Sequence, residues 1–315
     1  MNLQTQVPLK KQPNNQIDYT SKLLLIGSCF SENIGNKLAH FKFQSVVNPL
    51  GILFHPKAIE SLILNAINKK IYTEKDVFSE NERWHCFDAH SVMSNPDKSN
   101  LIDDLNAAIQ LTNNQLQTAS HIIITLGTAW VYRFIQNDTI VVNCHKVPQK
   151  KFLKEILPVN EITESLAAII GLIKSINPSA KVIFTVSPVR HLKDGFIENQ
   201  QSKAHLISAI HQVINGRNAS YFPSYEIMMD ELRDYRFYAE DMIHPSKTAI
   251  NYIWEKFTTI WVSEEAKNTM KEIENIQNGL AHKPFNKNSE QHQQFLKNLE
   301  HQQKNLQKQF PFMTF

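Results

Sequence analysis

The chain has 315 residues, of which 42% are hydrophobic and 20% charged, a composition typical of a soluble globular protein with one large α/β domain or two small ones. Its 33 basic and 30 acidic residues leave a net charge of +3, and no cluster of Lys or Arg is interleaved with aromatic residues, which argues against nucleic acid as a partner. The three cysteines, Cys29, Cys86 and Cys144, form neither a CxxC motif nor an even disulfide framework, which predicts a reducing compartment.

The N-terminal segment 1–20 is polar and lacks the apolar core of a signal peptide. No apolar run in the sequence is long enough to span a bilayer. We therefore expect a cytoplasmic protein without a membrane partner.

Three short apolar runs, at 22–26, 121–126 and 181–186, predict buried parallel strands. Each run ends in a turn-prone pair, and helical patterns lie between them at 32–40, 57–68, 102–116, 161–176 and 201–215. Strands that alternate with helices predict a mostly parallel sheet within a three-layer α/β/α sandwich. In such sheets ligands bind at the carboxyl ends of the strands, where all three turns fall.

Two regions depart from this alternation. Residues 71–100 are rich in aromatic and polar side chains without a clear period, and we interpret them as a loop insertion. After residue 262, Gln and Asn accumulate, and two helices are expected around 263–280 and 288–308. Because their apolar positions are sparse, we expect them to pack on the surface or on a partner, with a homo-oligomer as one outcome. The predicted domains are thus 1–262 and a helical C-terminal extension, 263–315.

The first predicted strand ends in Gly27 and Ser28, directly before a helix. At such a turn, glycine permits a sharp bend, and the helix N-terminus favours a developing negative charge. Ser28 is therefore a candidate nucleophile. Taken alone, a serine in this position is more typical of a helix cap, and the neighbouring Cys29 is either a competing nucleophile or a small buried apolar residue.

A second motif, Asp241-Met242-Ile243-His244, precedes the amphipathic run 249–261. Across a turn, this spacing lets the Asp241 carboxylate reach the His244 imidazole, fix its tautomer and stabilise its protonated form. The alternative is a capping aspartate beside an ordinary surface histidine. With the serine, these residues complete a candidate Ser28, Asp241, His244 triad.

Several segments resemble the GSCFA family, which is related to the SGNH (GDSL-like) hydrolases. The segments are Gly27-Ser28-Cys29-Phe30, Asn48-Pro49-Leu50-Gly51-Ile52, Thr125-Leu126-Gly127-Thr128-Ala129-Trp130, Asn143-Cys144-His145-Lys146-Val147-Pro148, Ser187-Pro188-Val189-Arg190-His191, Tyr221-Phe222-Pro223-Ser224-Tyr225-Glu226 and Asp241 to Ser246. The resemblance implies a flavodoxin-like α/β/α hydrolase with a serine nucleophile and neither metal nor organic cofactor.

The resemblance also implies an oxyanion hole formed by the Ser28 N–H, the Gly51 N–H and an asparagine side chain. SGNH enzymes usually carry Gly-x-Asn-Asp after the central strand, whereas this chain has Gly127-Thr128-Ala129-Trp130. Asn143 is our candidate for the missing asparagine, with Thr128 as a substitute. An ordinary turn is the alternative for Asn143, and its neighbours Cys144 and His145 make a poor metal site.

The substrate-binding candidates are Asn48, Gly127, Thr128, Arg190 and His191. Arg190 suits a substrate carboxylate or phosphate, but it could instead pair with Asp194.

The predicted function is therefore that of a serine hydrolase, an esterase or deacylase that cleaves an acyl ester on a small molecule or carbohydrate. Two alternatives remain open: acyl transfer by the same triad, and a non-catalytic binding protein that retains the fold.

Overall fold

The computed structural model describes residues 5–214 and 219–315. Two expectations extend beyond these ranges. Residues 1–4 of the polar segment 1–20 lie outside the described residues. So does Asn215, the last residue of the helix expected over 201–215.

The described elements alternate between strands and helices along most of the chain. The strands are β1 (Lys22–Gly27), β2 (Gln44–Val47), β3 (Phe78–Glu80), β4 (Arg83–His85), β5 (His121–Leu126), β6 (Trp130–Phe134), β7 (Thr139–Val141), β8 (Phe152–Ile156), β9 (Lys181–Val186) and β10 (Ala219–Phe222). The helices are α1 (Cys29–His40), α2 (Pro56–Ile67), α3 (Lys98–Thr118), α4 (Val159–Ile176), α5 (Phe196–Val213), α6 (Ser224–Glu226), α7 (Lys247–Trp261), α8 (Glu264–Ala281) and α9 (Glu290–Gln309).

The central sheet has five parallel strands in the order β10-β9-β5-β1-β2. The three strands expected from the sequence are its inner strands β1, β5 and β9, and the predicted α/β class is confirmed. The two edge strands, β2 and β10, have four residues each and were not predicted.

Side chains alternate across this sheet and build a core on each face. Leu24 and Ile26 of β1 pack in the cluster formed with α2, α3, α4 and α5. Leu23 and Leu25 pack on the opposite face with α1, α7 and α8. Two faces covered by helices favour strands with near-continuous apolar runs, which β1, β5 and β9 show after their polar first residues.

The region expected to be a loop insertion contains the antiparallel hairpin β3-β4. A second antiparallel sheet, β7-β6-β8, follows the central strand β5. Aromatic side chains join the two units, since the Phe87 ring lies 4.3 Å from Phe78 and 4.9 Å from Phe134, centroid to centroid. We call the hairpin and this three-stranded sheet the peripheral β unit.

The helices expected to lie outside the core contribute to it. Met270, Ile273 and Ile276 of α8 and Leu306 of α9 are buried in the same cluster as α1 and α7. The expectation failed because a few apolar residues at helical spacing suffice to cover a neighbouring apolar face. Within the described ranges, no helix combines the length and the hydropathy that crossing a membrane needs.

Truncating Ile273 to alanine tests this docking. The Ile273 side chain is fully buried, so we expect Ile273→Ala to lower the free energy of unfolding by about 2–4 kcal/mol. Leu280 on the same helix is 46% exposed, and Leu280→Ala is the matched control with an expected change within about 0.5 kcal/mol. Urea unfolding of both variants measures the difference, and equal small effects would contradict a docked α8.

Candidate active site

The carboxyl end of β1 approaches β5 too closely for a side chain. Gly27 has φ +147°, and a Cβ there would lie 2.2 Å from the Thr125 carbonyl oxygen. The Ser28 N–H continues the ladder and donates to the same oxygen at 3.1 Å. Glycine is therefore required, and it brings Ser28 to the carboxyl edge of the sheet.

Ser28 caps helix α1. Its Oγ accepts a hydrogen bond from the Phe30 N–H at 3.2 Å, and the residue is only 1% exposed. The helix consequently starts at Cys29, three residues earlier than expected. The capping role that the sequence offered as an alternative is present, and nucleophilic attack by Ser28 stays a prediction.

Asp241 and His244 are joined as the motif predicts. His244 Nδ1 lies 2.6 Å from Asp241 Oδ2, while Asp241 Oδ1 accepts the backbone N–H groups of His244 and Ile243, each at 2.9 Å. These two backbone N–H groups, followed by the His244 side chain, lower the pKa of Asp241 to about 2. The carboxylate is therefore ionised near neutral pH, holds Nδ1 as the donor and leaves Nε2 available as a base.

The loop after β9 supports the Asp241–His244 turn. The Arg190 N–H donates to the Ile243 carbonyl oxygen at 3.4 Å, which ties this turn to the carboxyl edge of the sheet. Within residues 5–214 and 219–315, no hydrogen bond joins Ser28 to His244. The structure thus forms the acid–base half of the predicted triad and leaves its link to the nucleophile unmade.

His191 lies on the same loop, partly buried, with its Nε2 atom inaccessible to solvent. Its backbone N–H donates to Asn199 Oδ1 at 2.9 Å, and no partner for its buried Nε2 is present in the described part of the chain. Burial, followed by the electrostatic interactions with Lys203 and His244, lowers the pKa of His191 to about 3. At neutral pH the ring is uncharged.

Lys203 is a site residue that the sequence analysis missed. Its fully buried side chain on α5 donates from Nζ to the carbonyl oxygens of Gly127 at 2.7 Å and Ser187 at 2.8 Å. It therefore joins the carboxyl ends of β5 and β9. Burial lowers the pKa of Lys203 to about 7. Its sequence neighbours are typical of a solvated helix and give no signal of this role.

Arg190 does not pair with Asp194, contrary to one of the two expectations for it. Lys154 Nζ lies 2.6 Å from Asp194 Oδ1 instead. Arg190 donates to the Tyr238 hydroxyl at 3.0 Å, and its guanidinium carbon lies 5.3 Å from the Tyr238 ring centroid. The other expectation, an anionic substrate group, stays a prediction.

The polar groups of Gly127 and Thr128 are mostly hydrogen-bonded within the protein. The Gly127 N–H donates to the Phe54 carbonyl oxygen at 2.6 Å, and its own carbonyl accepts from Lys203. Thr128 Oγ1 lies 3.0 Å from Ser202 Oγ and accepts the Trp130 N–H at 3.0 Å. Thr128 is thus bound into the contact with α5, which weakens its case as a substitute for the missing asparagine.

Both predicted backbone donors of the oxyanion hole are occupied. The Ser28 N–H donates to Thr125, and the Gly51 N–H donates to the Asn48 carbonyl oxygen at 2.8 Å. Gly51 has φ +76° and closes a tight turn that begins at Asn48. As the structure stands, neither N–H is directed at a substrate carbonyl.

Asn143 lies in the peripheral β unit, in the turn after β7. Its Oδ1 accepts the His145 N–H at 2.8 Å, and His145 Nε2 lies 2.7 Å from the Cys86 carbonyl oxygen. No described contact joins Asn143 to Ser28 or His244 anywhere in residues 5–214 and 219–315. The structure therefore does not bring Asn143 into the candidate site.

Cys29, the competing nucleophile, is partly exposed at the first position of α1. Burial and the nearby Glu32 charge raise the pKa of the Cys29 thiol, although the Lys203 charge and two backbone N–H groups act in the opposite direction. A raised pKa lowers the thiolate fraction and with it the reactivity of the sulfur.

The parallel sheet between two helical layers, with polar groups gathered at the carboxyl ends of β1, β5 and β9, defines a three-layer α/β/α protein of the kind in which ligands commonly bind at that edge. A family model described as "GSCFA family" matches residues 22–257. A second model, described as "GSCFA domain protein, C-terminal domain", matches residues 273–315. The chain belongs to the GSCFA family, which confirms the resemblance seen in its sequence.

Three solved structures resemble the chain at low sequence identity. A carbohydrate esterase family 3 protein from Talaromyces cellulolyticus shares 9% identity with a TM-score of 0.37, over 81% of this chain and 99% of that one. A mutant acetyl esterase with an acetate ion shares 11% identity, also with a TM-score of 0.37, over 81% of this chain and 99% of that one. The acetyl xylan esterase Est2A from the rumen bacterium Butyrivibrio proteoclasticus shares 9% identity with a TM-score of 0.37, over 84% of this chain and 64% of that one. No curated protein sequence matches the chain.

Replacing Lys203 with methionine tests its role as a buried bridge. The Gly127 and Ser187 carbonyls would lose their Lys203 donor, so we expect Lys203→Met to lower the free energy of unfolding by about 2–4 kcal/mol. Lys174 is the matched control, because its Nζ also bridges two carbonyls, of Pro178 and Ala180, but is partly open to water. Denaturant unfolding should show a much smaller loss for Lys174→Met, and equal losses would contradict the bridge.

The lowered pKa of Lys203 predicts a pH-dependent stability. Between pH 7 and the ordinary lysine range near 10.5, the unfolded state binds more protons than the folded state, so the Lys203 contribution to stability rises with pH. The stability gap between wild type and Lys203→Met should widen over this window, by at most about 1.4 kcal/mol per pH unit. Denaturant unfolding at pH 7, 8 and 9 measures it, and a constant gap would show that Lys203 keeps its proton.

Proposed function

We propose that this GSCFA-family protein is an acyl-ester hydrolase whose nucleophile is Ser28 and whose base is His244, oriented by Asp241. The observation that carries the proposal is the Asp241–His244 pair, with its 2.6 Å hydrogen bond and a carboxylate held ionised by two backbone N–H groups. A histidine anchored in this way at the ligand-binding edge of a parallel sheet is suited to general base catalysis.

In the proposed reaction, His244 Nε2 takes the Ser28 hydroxyl proton as Oγ bonds to the ester carbonyl carbon. The carbonyl π electrons move to its oxygen and form a tetrahedral oxyanion. When the carbonyl re-forms, the bond to the alcohol oxygen breaks and the alkoxide takes the proton from His244. Water then repeats the sequence on the acyl-enzyme, which releases the carboxylic acid and restores Ser28.

The burial of Ser28 favours a small acyl group. The residue is 1% exposed, and its Oγ must turn from the Phe30 N–H before it can reach a substrate. An acetyl-sized group on a small molecule or carbohydrate needs the least rearrangement of the surrounding atoms, so we propose this class of substrate.

A non-catalytic binding protein is the second candidate. The observation that favours it is the position of Ser28, which caps α1. Within residues 5–214 and 219–315, Ser28 makes no hydrogen bond to His244. Catalytic hydrogen bonds are often long or unmade without substrate, so the unmade Ser28–His244 bond is also compatible with hydrolysis.

Labelling with a fluorophosphonate probe, followed by mass spectrometry of the modified peptide, tests the proposal. We expect labelling at Ser28 that is lost in Ser28→Ala and His244→Ala, because the probe needs an activated hydroxyl. Hydrolysis of p-nitrophenyl acetate should fall by about 10³-fold or more in both variants. Ser31→Ala is the matched control, since Ser31 is buried one turn further along α1 and bonds to Thr125 Oγ1 at 2.8 Å.

Modification of Cys29 in place of Ser28 would reassign the nucleophile to Cys29 and keep His244 as the proposed base. A correctly folded wild-type protein that neither reacts with the probe nor hydrolyses the ester would contradict hydrolysis and favour the binding protein.

A further inference from the structure

The side chain of Asn48 carries a buried hydrogen-bond donor without a partner. Asn48 is 8% exposed, and its Nδ2 finds no acceptor among the residues that the structure describes. Leaving such a donor unpaired costs about 1–3 kcal/mol, so an orphan of this kind calls for an explanation.

Asn48 is held firmly at the carboxyl edge of the sheet. Its Oδ1 accepts the Gly27 N–H at 2.9 Å, and its backbone N–H donates to the Leu25 carbonyl oxygen at 2.9 Å. Because Oδ1 and Nδ2 share one carbon atom, Nδ2 also lies beside the end of β1, next to the Ser28 turn. The residue has φ +46°, a left-handed conformation that Asn and Asp tolerate better than most side chains.

The fold itself has no use for this amide nitrogen. The Gly27 N–H needs only an acceptor, which Oδ1 supplies, and the left-handed backbone needs only a side chain that tolerates it. The structural role of Asn48 therefore explains its Oδ1 and its φ, and leaves its Nδ2 without a function.

A second donor lies at the same edge. The Cys29 N–H belongs to the first residue of α1 and has no acceptor within the helix, and the helix dipole adds positive potential at this end. In residues 5–214 and 219–315 the Ser28 and Gly51 N–H groups are bonded to backbone carbonyls, whereas Asn48 Nδ2 has no partner and the Cys29 N–H has no backbone acceptor.

We propose that Asn48 Nδ2, together with the Cys29 N–H, forms the oxyanion hole of this site. The assignment rests on the proposed hydrolase function and supplies the side-chain donor that Thr128 and Asn143 do not. As the nucleophile adds to the carbonyl carbon and the π electrons move to oxygen, Nδ2 donates a hydrogen bond to that oxygen. The bond is strongest in the tetrahedral state, so Asn48 stabilises the transition state more than the bound ester.

Asn48→Asp tests this assignment with little change of shape. It keeps the acceptor for the Gly27 N–H and replaces the donor with an anion, so we expect kcat for p-nitrophenyl acetate to fall by about 10²–10³-fold with KM changed only a few-fold. Asn48→Gly keeps the left-handed backbone and removes the donor without adding charge, although it also removes the acceptor of the Gly27 N–H, and it should show a smaller fall in kcat. Binding of phenylboronic acid, a tetrahedral mimic, should weaken in both variants in parallel with kcat/KM.

Asn113→Asp is the control. Asn113 is buried between α3 and α2, and its Nδ2 donates to the Ala66 carbonyl oxygen at 2.8 Å, so the exchange lowers thermal stability but leaves kcat unchanged. An active wild type whose kcat and boronate affinity survive Asn48→Asp would overturn the role of Asn48 and leave the hydrolase intact. A wild type without hydrolysis and without boronate binding would overturn the hydrolase, and the oxyanion hole with it.

Discussion

Strands β1 and β5 meet at Gly27 and Thr125 with no room for a side chain between them, and the geometry of the site depends on this approach. Because the chain passes so close to the Thr125 carbonyl, the hydrogen-bond ladder between β1 and β5 gains one more bond, from the Ser28 N–H to the Thr125 oxygen. Helix α1 starts immediately afterwards. The Gly27 N–H, which points to the other side, is satisfied by the Asn48 side chain. One close contact thus places the candidate nucleophile, a helix N-terminus and a carboxamide around the same turn.

The groups around this turn carry charges of both signs, since Glu32 lies near Cys29 and the side chain of Lys203 is buried at the site. Lys203 lies beneath the edge as a buried donor between β5 and β9, and His191 stays neutral beside it. The one carboxylate of the proposed triad, Asp241, is turned toward its own backbone and His244. The buried Lys203 and the neutral His191 favour a developing oxyanion at this turn, whereas the Glu32 charge near Cys29 acts against it.

The central strands could be predicted because both of their faces are buried, which makes β5 apolar from Ile122 to Ile124 and easy to recognise. The edge strand β2 is short and only partly buried, so neither its length nor its pattern distinguishes it from a loop. The Asp241–His244 bond followed from spacing within one turn. Asn48 was expected at the site as a substrate-binding residue, but its bond to the Gly27 N–H and the bridge made by Lys203 could not be predicted, since each depends on backbone groups that the fold brings in from distant segments. The Arg190–Asp194 pairing was wrong for the same reason, because Lys154 reaches Asp194 from another strand.

The docking of α8 has a consequence for synthesis on the ribosome. Ile273 and Ile276 of α8 complete the apolar faces of α1 and α7. They follow Trp261, the last residue of α7, by 12 and 15 residues in the chain. During vectorial translation the sheet and its inner helices leave the exit tunnel first, while this hydrophobic surface stays uncovered until α8 has emerged. The nascent chain therefore passes through a stage in which a chaperone that recognises apolar surface would have a binding site that the finished protein lacks.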